Sequence, residues 1–134
     1  MAEITGNCLC GEVTFKLAND FQQFHLCHCS QCQKATGSAH ASNLFTAPDN
    51  IEWLSGQAHI VRYDLPGRTI SNAFCTKCGS PVPYVSQSGQ ALVVPAGSLN
   101  QTPDMTPRSH IFWPERAAWY DQAQEAERFD AFPE

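Results

Sequence analysis

The chain has 134 residues, a formal net charge of −5 and an apolar fraction of 43%. It holds no apolar run near the roughly 20 residues that span a bilayer, so a helical membrane protein is set aside, and its length suits a single domain, residues 1–134, with a buried core. Five acids against Arg128 put most of the charge into residues 121–134, and the basic stripe typical of nucleic-acid binders is missing, so nucleic acid is not an expected partner.

Met1–Asn7 has neither the basic region nor the apolar stretch of a signal peptide. A cytoplasmic location is therefore expected, where thiols stay reduced and clustered cysteines read as metal ligands. In chain order, Cys8-Leu9-Cys10 comes first, and Glu12–Leu17 then alternates with the period of a strand. Cys27-His28-Cys29-Ser30-Gln31-Cys32 follows and leads into a short helix predicted over Ser30–Thr36, stopped by Gly37. Pro48-Asp49-Asn50 marks a turn. His59–Tyr63 and Thr69–Phe74 read as strands joined through Leu65-Pro66-Gly67-Arg68. Cys75-Thr76-Lys77-Cys78 closes the second of these strands. Ala91–Val94 and His110–Trp113 read as short buried strands, with a turn at Gln87–Gln90 between the cysteines and the first of them. A turn or short helix is expected within Ala117–Arg128. The fold class is mainly β, with cysteines at strand ends and turns.

The seven cysteines carry the chemistry. Their odd number argues against a complete disulfide framework, and their short spacings suit a soft ion, zinc above all. In Cys8-x-Cys10 both side chains leave one face of a strand, and Gly11 permits the bend that brings the sulfurs together. Cys75-x-x-Cys78-Gly79 has the form of a metal knuckle, its glycine suited to a left-handed backbone. Two pairs make a closed set of four, and Cys27, Cys29 and Cys32 make a set of three with an open position. Spacing alone also allows the trio to recruit Cys75 and Cys78, leaving Cys8-x-Cys10 loose. His28, flanked by two candidate ligands, reads as a packed histidine pointing away from them. His25, His40, His59 and His110 read as structural, each also available to complete the second site. Trp113, Trp119 and Tyr120 read as core.

Three segments then carry a resemblance: Gly6-Asn7-Cys8-Leu9-Cys10-Gly11-Glu12-Val13, Cys27-His28-Cys29-Ser30-Gln31-Cys32-Gln33-Lys34-Ala35-Thr36-Gly37, and Phe74-Cys75-Thr76-Lys77-Cys78-Gly79. In order and spacing the chain resembles the glutathione-dependent formaldehyde-activating enzyme family, which also contains centromere protein V-like proteins. The resemblance implies a β-tent, small antiparallel sheets meeting over two zinc sites. It implies Cys8, Cys10, Cys75 and Cys78 as ligands of a structural zinc, and Cys27, Cys29 and Cys32 as ligands of a catalytic one. It further implies a carbon–sulfur lyase that joins or cleaves a small-molecule thiol such as glutathione and a small aldehyde such as formaldehyde. Glutathione carries carboxylates, so cations are sought near the trio. Lys34 is nearest in sequence, with Arg62, Arg68 and Arg108 as further candidates, and no acid/base residue can be named. The competing expectation is a non-catalytic zinc module for protein interaction, distinguished by whether a further protein ligand closes the trio's open position.

Overall fold

The computed structural model describes residues 2–133. Ten strands run through the chain: β1 (Glu3–Asn7), β2 (Thr14–Ala18), β3 (Gln23–Cys27), β4 (Ala41–Thr46), β5 (Glu52–Ser55), β6 (Ile60–Asp64), β7 (Ser71–Cys75), β8 (Tyr84–Val85), β9 (Leu92–Pro95) and β10 (Ser109–Ile111). Helix α1 (Ser30–Thr36) lies between β3 and β4, and α2 (Tyr120–Ala123) follows β10. The strands form three small sheets, ordered β1-β2-β5, β10-β3-β4-β9-β8 and β6-β7. All pairings are antiparallel except β10 with β3. This is the mainly β, tent-like arrangement that the sequence implies.

Alternation explains which sheet faces meet. Ile4 of β1 and Phe15 and Leu17 of β2 turn inward and pack with Phe24, Leu44, Leu92 and Val94 of the five-stranded sheet. Gly6 bridges Leu99, in the segment after β9, and only glycine fits there, because a Cβ on Gly6 would lie 2.3 Å from the Phe15 ring and 2.6 Å from the Ser98 carbonyl oxygen. A second apolar cluster (Cys8, Val13, Ala73, Cys75 and Val82) joins the ends of β1 and β7, and a third (Cys27, Cys32 and Ala41) joins β3, α1 and β4. Each cysteine group thus sits where chain segments distant in sequence are packed together.

Strand edges fall a residue or two from the sequence expectation. β2 starts at Thr14 because the Val13 carbonyl accepts the Cys8 N–H at 3.0 Å, which makes residues 8–13 a turn. β10 ends at Ile111, and Trp113 begins a 3₁₀ turn. Trp113 and Trp119 are not core: they are 37% and 57% exposed, and the Arg116 guanidinium stacks 4.3 Å from the Trp113 ring centre.

Candidate metal centres

The first centre is assembled from two turns. Cys8 leaves the end of β1 fully buried, and the 8–11 turn, with Gly11 at φ 84°, brings Cys10 round so that the two sulfurs are 3.6 Å apart. Cys75 ends β7. Its carbonyl accepts the Gly79 N–H at 2.7 Å and its N–H donates to the Ser80 carbonyl at 3.0 Å, so the knuckle folds back over Cys75. The Cys10 and Cys75 sulfurs are 3.9 Å apart. All four sulfurs, of Cys8, Cys10, Cys75 and Cys78, lie within 4.8 Å of one another. Ligands at about 2.3 Å in a tetrahedron have sulfurs about 3.8 Å apart, so the separations fit a tetrahedral S₄ ion.

Ser80 ties the two turns together. Its hydroxyl oxygen accepts the Leu9 N–H at 2.9 Å and lies 3.3 Å from the Cys78 sulfur. The Ser80 hydroxyl and then the Ser80 backbone N–H bring the Cys78 thiol down to about 5, so Cys78 is a thiolate at neutral pH.

The second centre uses one corner of chain. Cys27 ends β3, held between Ala41 of β4 and Ile111 of β10. The His28 N–H donates to the Ile111 carbonyl at 2.9 Å, carrying the backbone across β10 before α1 begins. Cys29 is the N-cap of α1, its sulfur accepting the Cys32 N–H at 3.3 Å, and Gly37 closes the helix in a left-handed conformation. The sulfurs of Cys27, Cys29 and Cys32 also lie within 4.8 Å of one another. Burial, followed by hydrogen bonding to the neighbouring Cys29 and Cys27 sulfurs, pushes the Cys32 thiol far up, and burial likewise raises Cys27. Cys27 and Cys32, raised in this way, become thiolates only beside a cation. All seven cysteines are free.

The trio lines a cavity of about 510 Å³ together with Arg68, Tyr84 and Phe112. Arg68 comes from the Leu65–Arg68 turn, where the Leu65 carbonyl accepts the Arg68 N–H at 3.1 Å and Gly67 has φ 72°. Burial, then the Cys32 sulfur, pushes the Tyr84 phenol up to about 12. His25 reaches the same cavity, but its ring nitrogens are engaged by Ser109 Oγ at 2.6 Å and Gln23 Oε1 at 3.0 Å. Among the described residues, no fourth histidine, cysteine or carboxylate joins the trio. Lys34 lines a separate depression with Trp119. Arg62 lies over the Tyr84 ring at 5.5 Å, and Arg108 lies outside the trio's cavity.

His28 is fully buried and faces away from the sulfurs. Its Nε2 lies 2.9 Å from His110 Nδ1, and its ring is packed among those of His40, Trp113 and Tyr120, while its Nδ1 has no partner among the described residues. Burial, then His40, His110 and Arg116, lowers its pKa and keeps the imidazole neutral. Histidines scattered in sequence thus form one block behind the Cys27–Cys29 backbone. Tyr84 and Phe112 were not singled out from sequence, since nothing local marks them and only the pairing of β8 with β9 and of β10 with β3 brings them to the trio.

The sequence profile described as glutathione-dependent formaldehyde-activating enzyme matches residues 3–115. No curated protein matches the chain. A crystal structure of a Rhodobacter sphaeroides protein is similar in fold, with 23% identity and a TM-score of 0.61, covering 79% of this chain and 98% of that one. With its profile matched over most of its length and both cysteine groups assembled, the chain belongs to the glutathione-dependent formaldehyde-activating enzyme family.

Proposed function

We propose that the chain is a zinc-dependent carbon–sulfur lyase that joins or cleaves a glutathione-like thiol and a formaldehyde-like aldehyde beside Cys27, Cys29 and Cys32. The observation that carries this reading is ligand number: four sulfurs make a complete tetrahedral set, whereas the three sulfurs of the trio leave one position for a substrate, beside a cavity of about 510 Å³. Cys8, Cys10, Cys75 and Cys78 hold a structural zinc, and the trio holds the reactive one. Zinc at the trio supplies a cation that favours the thiolate form of an incoming thiol and, surrounded by three thiolates, acts only weakly on a carbonyl.

The residues of the cavity divide the remaining tasks. Arg68 receives a carboxylate of the thiol substrate, its guanidinium suited to a paired contact. Lys34, two residues beyond Cys32 on α1, adds positive potential at longer range. As sulfur attacks the aldehyde carbon, the carbonyl oxygen takes up a proton, and Tyr84 is the donor, since its phenol stays protonated at neutral pH. Cleavage runs the same steps in reverse. Seven free thiols suit a reducing compartment such as the cytoplasm.

The test is exchange NMR of formaldehyde with glutathione in the presence of zinc-loaded protein, with Cys29→Ser as control. Protein-dependent acceleration that the control loses supports the lyase. Exchange unchanged at full zinc loading removes this substrate pair. It would favour the second reading, a non-catalytic zinc module for protein interaction, to which the exposed Trp119 and Phe132 lend some support.

A further inference from the structure

Phe112 has φ 54° and ψ 40°, and among the described residues it is the only non-glycine at positive φ. A bulky side chain is rare there, because its Cβ crowds the backbone carbonyl. The fixed points on either side explain why the chain must turn so sharply. Ile111 completes the parallel pairing with Cys27, and its carbonyl accepts the His28 N–H at 2.9 Å. Four residues on, the Glu115 carboxylate accepts the Ser30 N–H at 3.0 Å, and the Glu115 carbonyl accepts Gln33 Nε2 at 3.0 Å. Glycine would satisfy that turn without strain, yet phenylalanine occupies it. Its side chain does not repay the cost by burial, since Phe112 is 57% exposed. What the residue does contribute is part of the wall of the trio's cavity. Strain that packing does not explain, at the edge of a candidate site, points to a role in that site.

We propose that Phe112 determines specificity at the trio, its ring forming an apolar wall against which the carbon chain of a peptide-sized thiol packs. The inference rests on the thiol–aldehyde reading of the cavity and adds to it a residue that selects thiols by size. A thiol with only two carbons has little chain to pack on the ring, whereas glutathione has more.

The experiment measures glutathione binding by calorimetry and thermal unfolding by circular dichroism, on the zinc-loaded full chain and its Phe112→Gly and Phe112→Ala variants. Both variants are expected to bind glutathione about tenfold more weakly, as loss of part of an aromatic contact implies. Binding of 2-mercaptoethanol should change by less than about twofold, because that thiol has little carbon chain to pack against the ring. Phe112→Gly should unfold at or above the wild-type temperature, since glycine relieves the left-handed strain, and Phe112→Ala should unfold below Phe112→Gly. Wild-type glutathione affinity in both variants overturns the inference and leaves the cavity's function standing. A fall of many degrees in both variants overturns it too, because the ring would then be a structural element. Absence of glutathione binding by the wild-type protein overturns the reading of the cavity itself, and this inference with it.

Discussion

The Cys29 sulfur accepts the Cys32 N–H at 3.3 Å, so one atom both caps α1 and faces the two other sulfurs of the trio. These two duties separate under substitution. Serine is among the best N-cap residues, so Cys29→Ser keeps the cap and removes only the proposed metal ligand. The unfolding temperature should change little, zinc content should fall from two per chain to one, and thiol–aldehyde exchange should stop. Cys29→Ala removes the cap as well and should cost about 1 kcal/mol more. Zinc analysis with thermal unfolding of both variants checks this, and global unfolding of Cys29→Ser would show that the trio, not the group of four, is the structural centre.

That sulfur also shows what could be read in the sequence. Cys29 sits at the junction of a motif and a helix signal, and α1 runs over Ser30–Thr36 to Gly37 because its cap and stop are both local. Grouping of the cysteines was less legible. Spacing left the pairing open between two alternatives, and only the packing of Cys8 and Val13, on the turn after β1, against β7 puts Cys10 3.9 Å from Cys75. Gln23–Cys27 alternates as β2 does, and this strand signal runs straight into the cysteine cluster that begins at its last residue. Trp113 and Trp119 misled in the other direction. Apolar rings predict burial, but here a guanidinium covers one ring and water the other. Arg68 is one of the cations expected from sequence and sits on a local turn, whereas Tyr84 has no local signal of function, because it reaches the trio only through the pairing of β8 with β9.

The group of four closes a loop of chain between Cys10 and Cys75, 65 residues apart. Removing a ligand there should affect folding, not only chemistry, since the free energy of metal binding at such a site is folding free energy. Cys8→Ser is expected to remove several kcal/mol, a large share of the roughly 5–15 kcal/mol available to a domain. Loss of near-ultraviolet circular dichroism, together with lost hydrogen-exchange protection in β1 and β7, would report it. Native-like protection in Cys8→Ser would refute the structural assignment.

Arg68 and Lys34 can be told apart by kinetics. Arg68 lines the cavity of the trio, whereas Lys34 lines a different depression. Arg68→Gln should raise the KM for glutathione about tenfold, the value of a charge-assisted hydrogen bond, and leave that for 2-mercaptoethanol unchanged. Lys34→Gln should produce a smaller rise that disappears in high salt, as screened long-range attraction does. Equal effects of Arg68→Gln on both thiols would show that it does not contact a carboxylate.

Tyr84→Phe removes one oxygen and leaves the ring to fill its place between β7 and β9. As the donor to the carbonyl oxygen, Tyr84 should be worth about 100-fold in kcat with little change in KM. Because its phenol titrates only near 12, the wild-type rate should show no loss from this group up to about pH 10. A kcat for Tyr84→Phe within twofold of wild type would move the donor's role to another group or to water.

Asp64 is linked to Tyr84 through Arg62. Its carboxylate accepts hydrogen bonds from the Ser71 hydroxyl across the β6–β7 pair and from Arg62 Nε at 2.9 Å, and Arg62 Nη1 donates to the carbonyl of Val85, the neighbour of Tyr84, at 2.5 Å. The Ser71 hydroxyl, and then Arg62, hold the Asp64 carboxyl below the usual carboxylate range. A depressed folded-state pKa contributes stability that is fully present above the unfolded value near 4 and is lost as pH falls through the folded one. Asp64→Asn should therefore lower the unfolding temperature at pH 7, and the gap from wild type should close as both proteins are taken below about pH 4. The same variant frees Arg62 from its anchor, so kcat at pH 7 should fall by more than the small loss of stability accounts for. A gap in unfolding temperature that stays constant down to pH 3 would show that the carboxylate's charge is not what holds Arg62 against β8.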